Sequence, residues 1–383
     1  MFHRRIFRKF KKPKIPFFVD YTYLHYRIAL TLLNQVGPKK ARHLLDCLEN
    51  CEQIFTLDPG ALRRKTGFSF SFIEKMKRAK ALRNSEGIVS FLEKHEIDTV
   101  FCTEKTYPSR LAECPDAPLI LYQKGNRSLE FDRWVAVVGT RNATSYGKAI
   151  CRELIESFKG KNIVVVSGLA LGIDAYVHQY CLEFDVPTIA VLGHGLDRIY
   201  PHKNRNLAKE IVHNGLLLAE FPPNTLPDRE NFPKRNRVVA GLCDATIVVE
   251  SNVKGGSLIT ADLANGYNRD VFAYPGGVFQ SSSKGCNDLI RSNKAHLISS
   301  GEDFLHLMSW NTETVKKKKS WKSTALTPIQ QTIANALGTS IMHIDELAEK
   351  TRLNVPTLNI ELFDLILNCL LYTSDAADEH SCG

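Results

Sequence analysis

Trp134-Val135-Ala136-Val137-Val138-Gly139-Thr140-Arg141 is the stretch that decides the fold. Trp134 to Val138 are all apolar and rich in β-branched side chains, without the alternation of a strand wetted on one face, which predicts a strand buried on both faces. Gly139 then removes the Cβ that would obstruct a tight turn or a close ligand. From Ser145-Tyr146-Gly147 onward, the spacing of Ile150, Leu154, Ile155 and Phe158 predicts an amphipathic helix. The unit recurs: 163–166, 187–192, 215–219, 245–249 and 271–274 read as further buried strands, each with helical sequence nearby. This alternation predicts an α/β fold with a doubly wound, mostly parallel sheet, whose ligands gather at the carboxyl ends of the strands.

The chain has 383 residues, 44% of them hydrophobic and 24% charged, with a formal net charge of +9. Such proportions describe an ordinary globular protein of about two or three domains. No window approaches the roughly 18 or more apolar residues of a membrane span, and no apolar run follows the basic N-terminus as in a signal peptide. A cytoplasmic protein without a membrane partner is therefore expected. The positive charge points to an anionic partner, nucleic acid ahead of membrane. The 10 cysteines stand singly, without a C-x-x-C pair. Cys47 and Cys51 are one helical turn apart but lack a matching ligand pair, so buried reduced thiols and no metal are expected.

Residues 1–20 form a basic arm containing Arg4, Arg5, Arg8 and Lys9, and 21–85 a helical domain. Within that domain, 32–41 resembles a helix-hairpin-helix. Gly37 would permit the tight turn and Pro38 would open the second helix, leaving N–H groups beside Lys39 and Lys40 to face a phosphate as a secondary DNA contact. The same turn also packs helices with no ligand at all. Residues 86–310 hold the α/β domain, beginning with a connecting segment that contains one small strand, Val100-Phe101. A linker at 311–324 carries Lys316 to Lys319 in a row. Residues 327–337, 343–350 and 355–371 predict three short helices, the last capped by Asn354, in an order that resembles a winged helix over 325–371 truncated before its wing. The small polar tail 372–383 is expected to be foreign to the gene.

Three central loops share one chemistry. Gly139-Thr140-Arg141, Ser167-Gly168 and Gly255-Gly256-Ser257, with Thr260 just beyond, combine exposed backbone N–H groups and hydroxyls beside helix starts, an arrangement suited to phosphate. Arg141 adds a permanently charged, bidentate fork. The cluster Phe232-Pro233-Lys234-Arg235-Asn236-Arg237 sets three cations and an amide around a ring, which suits phosphates plus a stacked base. A solvated basic turn with Phe232 in the core is the other reading. The phosphate-binding G-x-x-x-x-G-K-[ST] pattern and the dinucleotide fingerprint both fail, so no nucleotide cofactor is expected. Asp174 with His178, Glu220 and Glu250 are the available acids and bases, but no nucleophile-base set or metal spacing emerges among them, and a structural role is favoured.

Together these residues resemble the DprA/Smf family of DNA-processing proteins. The likeness runs through Val138 to Arg141, Tyr146-Gly147, Ser167 to Asp174 with His178, Gly193 to Asp197, and Tyr200-Pro201 with Asn204. It continues in Glu220 to Pro223, Phe232 to Arg237, Gly255 to Ala261, Pro275-Gly276 and Gly285 to Ile290. The resemblance implies an extended Rossmann-like core, flanked by a helical helix-hairpin-helix or SAM-like domain and a winged helix. It further implies a homodimer that binds and protects single-stranded DNA, helps load the RecA recombinase in natural transformation, and has neither catalysis nor cofactor. The family's pocket would fall on Gly139, Thr140, Arg141, Ser167, Gly168, Lys234, Arg235, Asn236 and Gly256. Asn293-Lys294-Ala295 departs from a commoner Gly-Ala. The enzyme alternative is a phosphoribohydrolase of the lysine-decarboxylase-like fold. Its P-G-G-x-G-T pattern and following Glu are broken here at Pro275-Gly276-Gly277-Val278-Phe279-Gln280.

Overall fold

The computed structural model describes residues 21–126, 131–310, 326–337 and 344–367. The expected basic arm, linker and tail lie outside those residues. The chain divides into two units, Met1–Trp310 and Asn311–Gly383.

In the first unit the described residues form one sheet of nine strands. They are β1 (Asp98–Phe101), β2 (Ile120–Gly125), β3 (Arg133–Val138), β4 (Ile163–Ser167), β5 (Thr188–Leu192), β6 (Leu216–Ala219), β7 (Ala245–Val248), β8 (Asp270–Ala273) and β9 (His296–Leu297). Their spatial order is β1-β2-β6-β5-β4-β3-β7-β8-β9. Pairing is parallel from β6 through β9 and antiparallel for β1 with β2 and β2 with β6. The continuous apolar runs have the cause the sequence implies, because helices cover both faces. Trp134, Ala136 and Val138 pack with Val238 and Val239 on one side, while Val135 and Val137 pack with Leu154, Phe158, Ile173 and Val177 on the other. Each fully buried Val contributes about 1.5–3 kcal/mol over exposure, which fixes β3 at the centre.

The segment expected to be a connector with one strand contains two. β2 escaped notice because its apolar part, Ile120-Leu121-Tyr122, is only half of the strand; Gln123, Lys124 and Gly125 are half-buried near the sheet margin. β1 and β2 seat the N-terminal helices, with Phe101, Ile120 and Tyr122 joining Leu24, Ile28, Leu44, Ile54 and Leu62 in one core. The helix Arg78–Lys94 runs straight through the boundary expected at 85/86.

The hairpin turn also differs in detail. Gly37 has φ −86° and ψ 178°, extended backbone that any residue adopts, and the left-handed residue is Gln35 with φ 61°. The helices Pro59–Thr66 and Phe70–Lys75 follow, and the Asn34 N–H donates to the Met76 carbonyl at 3.1 Å, which ties the turn to their end. In the second unit, helices Pro328–Leu337, Ile344–Thr351 and Val355–Leu367 enclose Ile333, Leu337, Leu347, Leu358 and Leu365. Asn354 Oδ1 accepts the Thr357 N–H at 2.9 Å and caps the last helix.

Candidate functional site

From β3 the chain winds outward through β4 and β5 to β6, then returns to β7 on the opposite side of β3. The crevice at the carboxyl ends beside such a reversal is where open α/β sheets bind ligands. A cleft of about 640 Å³ opens there between the loops after β3 and β7, walled by the helix Asn231–Leu242. Gly139, Thr140, Arg141, Gly168, Phe232, Arg235, Asn236, Gly255, Gly256, Ser257 and Thr260 all line it.

Helical spacing explains the wall. Phe232, Arg235, Asn236 and Val239 stand at i, i+3, i+4 and i+7, one face of one helix, so the basic cluster is a helix and not a turn. Lys234 and Arg237 fall off that face. Lys234 is exposed and, like Arg237, acts on the charge of Glu220. Arg237 donates to the Glu220 carboxylate and the Asp116 carbonyl. Ser167 is fully buried in β4, where its hydroxyl donates to the Val137 carbonyl at 2.7 Å. These three expected site residues therefore do not line the cleft.

The Gly-rich loop after β4 is built around Asp174, whose Oδ2 accepts the N–H groups of Gly168 at 3.2 Å and Ala170 at 3.3 Å. Burial raises its carboxyl above the usual range, and Arg235 followed by these hydrogen bonds pulls it back. Arg235 is itself buried, and its Nη1 donates to the Val191 carbonyl at 3.0 Å. A Cβ on Gly168 would stand 1.5 Å from that Nη1, so glycine makes room for the guanidinium. Asn204 Nδ2 donates to the carbonyls of Leu169 at 2.9 Å and Ala170 at 3.1 Å and closes the loop from outside.

The remaining acid-base candidates are engaged in holding the fold. Glu250 accepts the Thr144 hydroxyl at 2.6 Å and its N–H at 3.0 Å at the start of the helix Ser145–Ser157. Thr188 Oγ1 donates to the Val165 carbonyl at 3.0 Å, so His178 Nδ1, 2.7 Å away, must carry the proton that meets this hydroxyl. Burial, followed by Arg235, pushes His178 down to about 3 and keeps it neutral.

The cleft surface is cationic. Arg141, Arg229, Arg235 and Lys254 line it against a single carboxylate, Asp174. The Arg141 guanidinium lies 5.4 Å from the Phe232 ring centroid, and the Tyr200 and Phe232 rings are 6.0 Å apart. The helix Gly256–Gly266 starts at the cleft with no side-chain cap on its N-terminal N–H groups. Fixed cations, free N–H groups and accessible rings form a surface for phosphates and stacked bases. Tyr200, Arg229 and Lys254 were not among the expected site residues. Arg229 and Lys254 are lone cations in loops, and only their position after β6 and β7 marks them. At the expected secondary contact, Lys39 and Lys40 are exposed at the start of the helix Pro38–Cys47, and Lys40 Nζ lies 4.2 Å from the Phe72 ring centroid.

Two family models match the chain, DNA recombination-mediator protein A over residues 98–309 and the DprA winged helix domain over residues 318–368. Protein Smf of Synechocystis is 38% identical over 284 residues, which is 72% of this chain and 71% of the relative. DNA processing protein DprA of Streptococcus pneumoniae is 43% identical over 199 residues, 52% of this chain and 70% of the relative. The X-ray structure of the Streptococcus pneumoniae DprA superposes with a TM-score of 0.64 at 35% identity, covering 74% of this chain and 97% of that one. A Helicobacter pylori DNA processing protein A, described for its single-stranded DNA binding mode, gives 0.51 at 31% identity, covering 56% and 96%. A match of this length, over a sheet and cleft built as described, makes the chain a member of the DNA recombination-mediator protein A family, known also as DprA/Smf.

Proposed function

We propose that this chain is a recombination mediator that binds single-stranded DNA in the cleft between the β3 and β7 loops. The observation that carries this reading is Arg141 over Phe232, beside the uncapped helix start at Gly256. A phosphate meets the guanidinium and the N–H groups while its base lies on the ring, a combination that every nucleotide can use and that needs no sequence readout. Gly139, Thr140, Gly168, Arg235, Asn236, Gly255, Ser257 and Thr260 shape and charge the pocket. Ser167 supports it from beneath, while Lys234 and Arg237 stand on the back of the helix Asn231–Leu242, where they meet the charge of Glu220. Membership of the family supports protection of the strand, its hand-over to the RecA recombinase during transformation, and action as a homodimer.

The binding needs no chemistry on the DNA. Asp174, the carboxylate among the cleft residues, is held by the N–H groups of Gly168 and Ala170, and Glu250 is held by Thr144. Both carboxylates are committed to hydrogen bonds that hold loops and a helix start, which supports a binding protein over the phosphoribohydrolase reading.

The test is fluorescence anisotropy of a labelled oligothymidine with wild type and Arg141→Ala. Losing a charged bidentate contact weakens binding by about ten- to a hundredfold. Equal affinity for the two proteins would sink the assignment of the cleft.

A further inference from the structure

Phe279 is 98% exposed, at the tip of the loop that follows β8, with Val278 beside it at 71%. A large ring held this far into solvent packs on nothing among the described residues. The stem of the loop, by contrast, is firmly held. Gly276 N–H donates to Asn287 Oδ1 at 3.1 Å, Asn287 Nδ2 donates back to the Gly276 carbonyl at 3.0 Å, and the Tyr146 hydroxyl donates to the Pro275 carbonyl at 2.6 Å.

This loop adjoins the cleft. β8 pairs directly with β7, about 5 Å away, so their carboxyl-end loops are neighbours. The Gly285 N–H donates to the Ser251 carbonyl at 2.7 Å, and a Cβ on Gly285 would sit 2.7 Å from the carbonyl oxygens of both Ser251 and Asn252. The chain after the Phe279 loop is thus packed against the loop whose next residues, Asn252 and Lys254, line the cleft. Lys254 and Lys284 are exposed on the two sides of this junction, and residues 275–283 contain no acid. The cationic surface therefore continues outward from the cleft towards a bare aromatic ring.

We propose that Phe279 is a second stacking platform for single-stranded DNA, reached by a strand that leaves the Arg141–Phe232 cleft along Lys254 and Lys284. This rests on the reading of the cleft as the DNA site. From the β6 loop to the β8 loop the track crosses six adjacent strands, roughly 24 Å, which corresponds to a site on the order of four to six nucleotides. The neighbouring cations select a nucleic acid strand over an apolar protein segment as the occupant.

The experiment compares an oligothymidine of about three nucleotides, enough for the cleft, with one of about ten, using Phe279→Ala, Phe279→Trp, Phe279→Leu and Arg141→Ala. Phe279→Ala is expected to weaken the longer oligonucleotide about tenfold and the shorter one by less than about twofold; Trp restores the loss and Leu does not. Equal effects at both lengths, no effect at either, or full rescue by Leu overturn the proposal. So does a change of self-association in sedimentation with binding per chain unchanged, which would assign Phe279 to a second copy of the chain. Arg141→Ala reports separately: unchanged binding of the short oligonucleotide means that the cleft reading itself has failed, whatever Phe279 does.

Discussion

Gly139 follows the end of β3 and Gly256 opens the helix Gly256–Gly266, and a methyl group would find different surroundings at each. At Gly139 it would lie 2.5 Å from Ile173 Cγ1 and 3.0 Å from the Glu250 carbonyl oxygen, whereas at Gly256 nothing lies within 4 Å. The first glycine lets a helix approach the sheet, and the second leaves the cleft surface open. Gly139→Ala is expected to cost about 1–3 kcal/mol by overpacking, seen as a lower melting temperature. Gly256→Ala should melt no lower than wild type, since alanine suits a helix better, and should still weaken DNA binding by obstructing the approach of a phosphate. Unchanged DNA affinity in Gly256→Ala would remove this glycine from the contact surface. His178 sets a pH dependence. Its folded value of about 3 lies below its usual 6.5, so the unfolded chain takes up the proton first as pH falls. Its share of stability is complete above about 6.5 and is lost on acidification towards about 3. In urea melts, His178→Gln should flatten the acid limb relative to wild type by up to about 1.4 kcal/mol per pH unit.

The helix Asn231–Leu242 shows how an element assigns roles that composition does not. Arg235 and Arg237 are near neighbours in sequence, but one faces the cleft and the other is clamped to Glu220, with side-chain exposures of 13% and 10% in that pair. Arg237→Ala strands a buried carboxylate and should cost about 3 kcal/mol in urea melts while leaving DNA affinity per folded molecule nearly unchanged. Asn236→Ala should do the reverse, and a large affinity loss in Arg237→Ala without loss of stability would contradict this division. Much of the architecture was legible because strands buried on both faces write themselves as unbroken apolar runs, as at Val135 to Val138. The edges were not. β2 is apolar over half its length, and β9 is the two residues His296–Leu297, too short to leave a pattern. In the cleft, the glycines and hydroxyls at strand ends were legible because loop chemistry is local. The inward turn of Ser167 and the clamp on Arg237 were not, because they depend on partners such as Val137 and Glu220 brought in by the fold.

Over the whole molecule, the formal charge of +9 says only that an anion is favoured; where the cations stand decides which of them a strand can feel. Of the four cations lining the cleft, Arg235 is offset by Asp174, while Arg141, Arg229 and Lys254 make no ion pair among the described residues. Each phosphate neutralised on a single strand contributes about −0.7 to the slope of log affinity against log salt, so a 5′-phosphorylated trinucleotide, whose three phosphates meet these three cations, should show a slope of about −2. Arg141→Ala should reduce it by about 0.7. Lys39 and Lys40 are exposed on the helix Pro38–Cys47, whose Ala41 and Leu44 pack in the separate N-terminal core, so reversing both to Glu should leave the trinucleotide slope unchanged. If the hairpin is a secondary DNA contact, the same double reversal should make the slope shallower for a strand long enough to reach both places. Anisotropy across a salt series separates the cases. A trinucleotide slope near zero would mean that the cleft cations meet no phosphate. A slope reduced by the Lys39 and Lys40 reversals at trinucleotide length would place the primary contact on the hairpin.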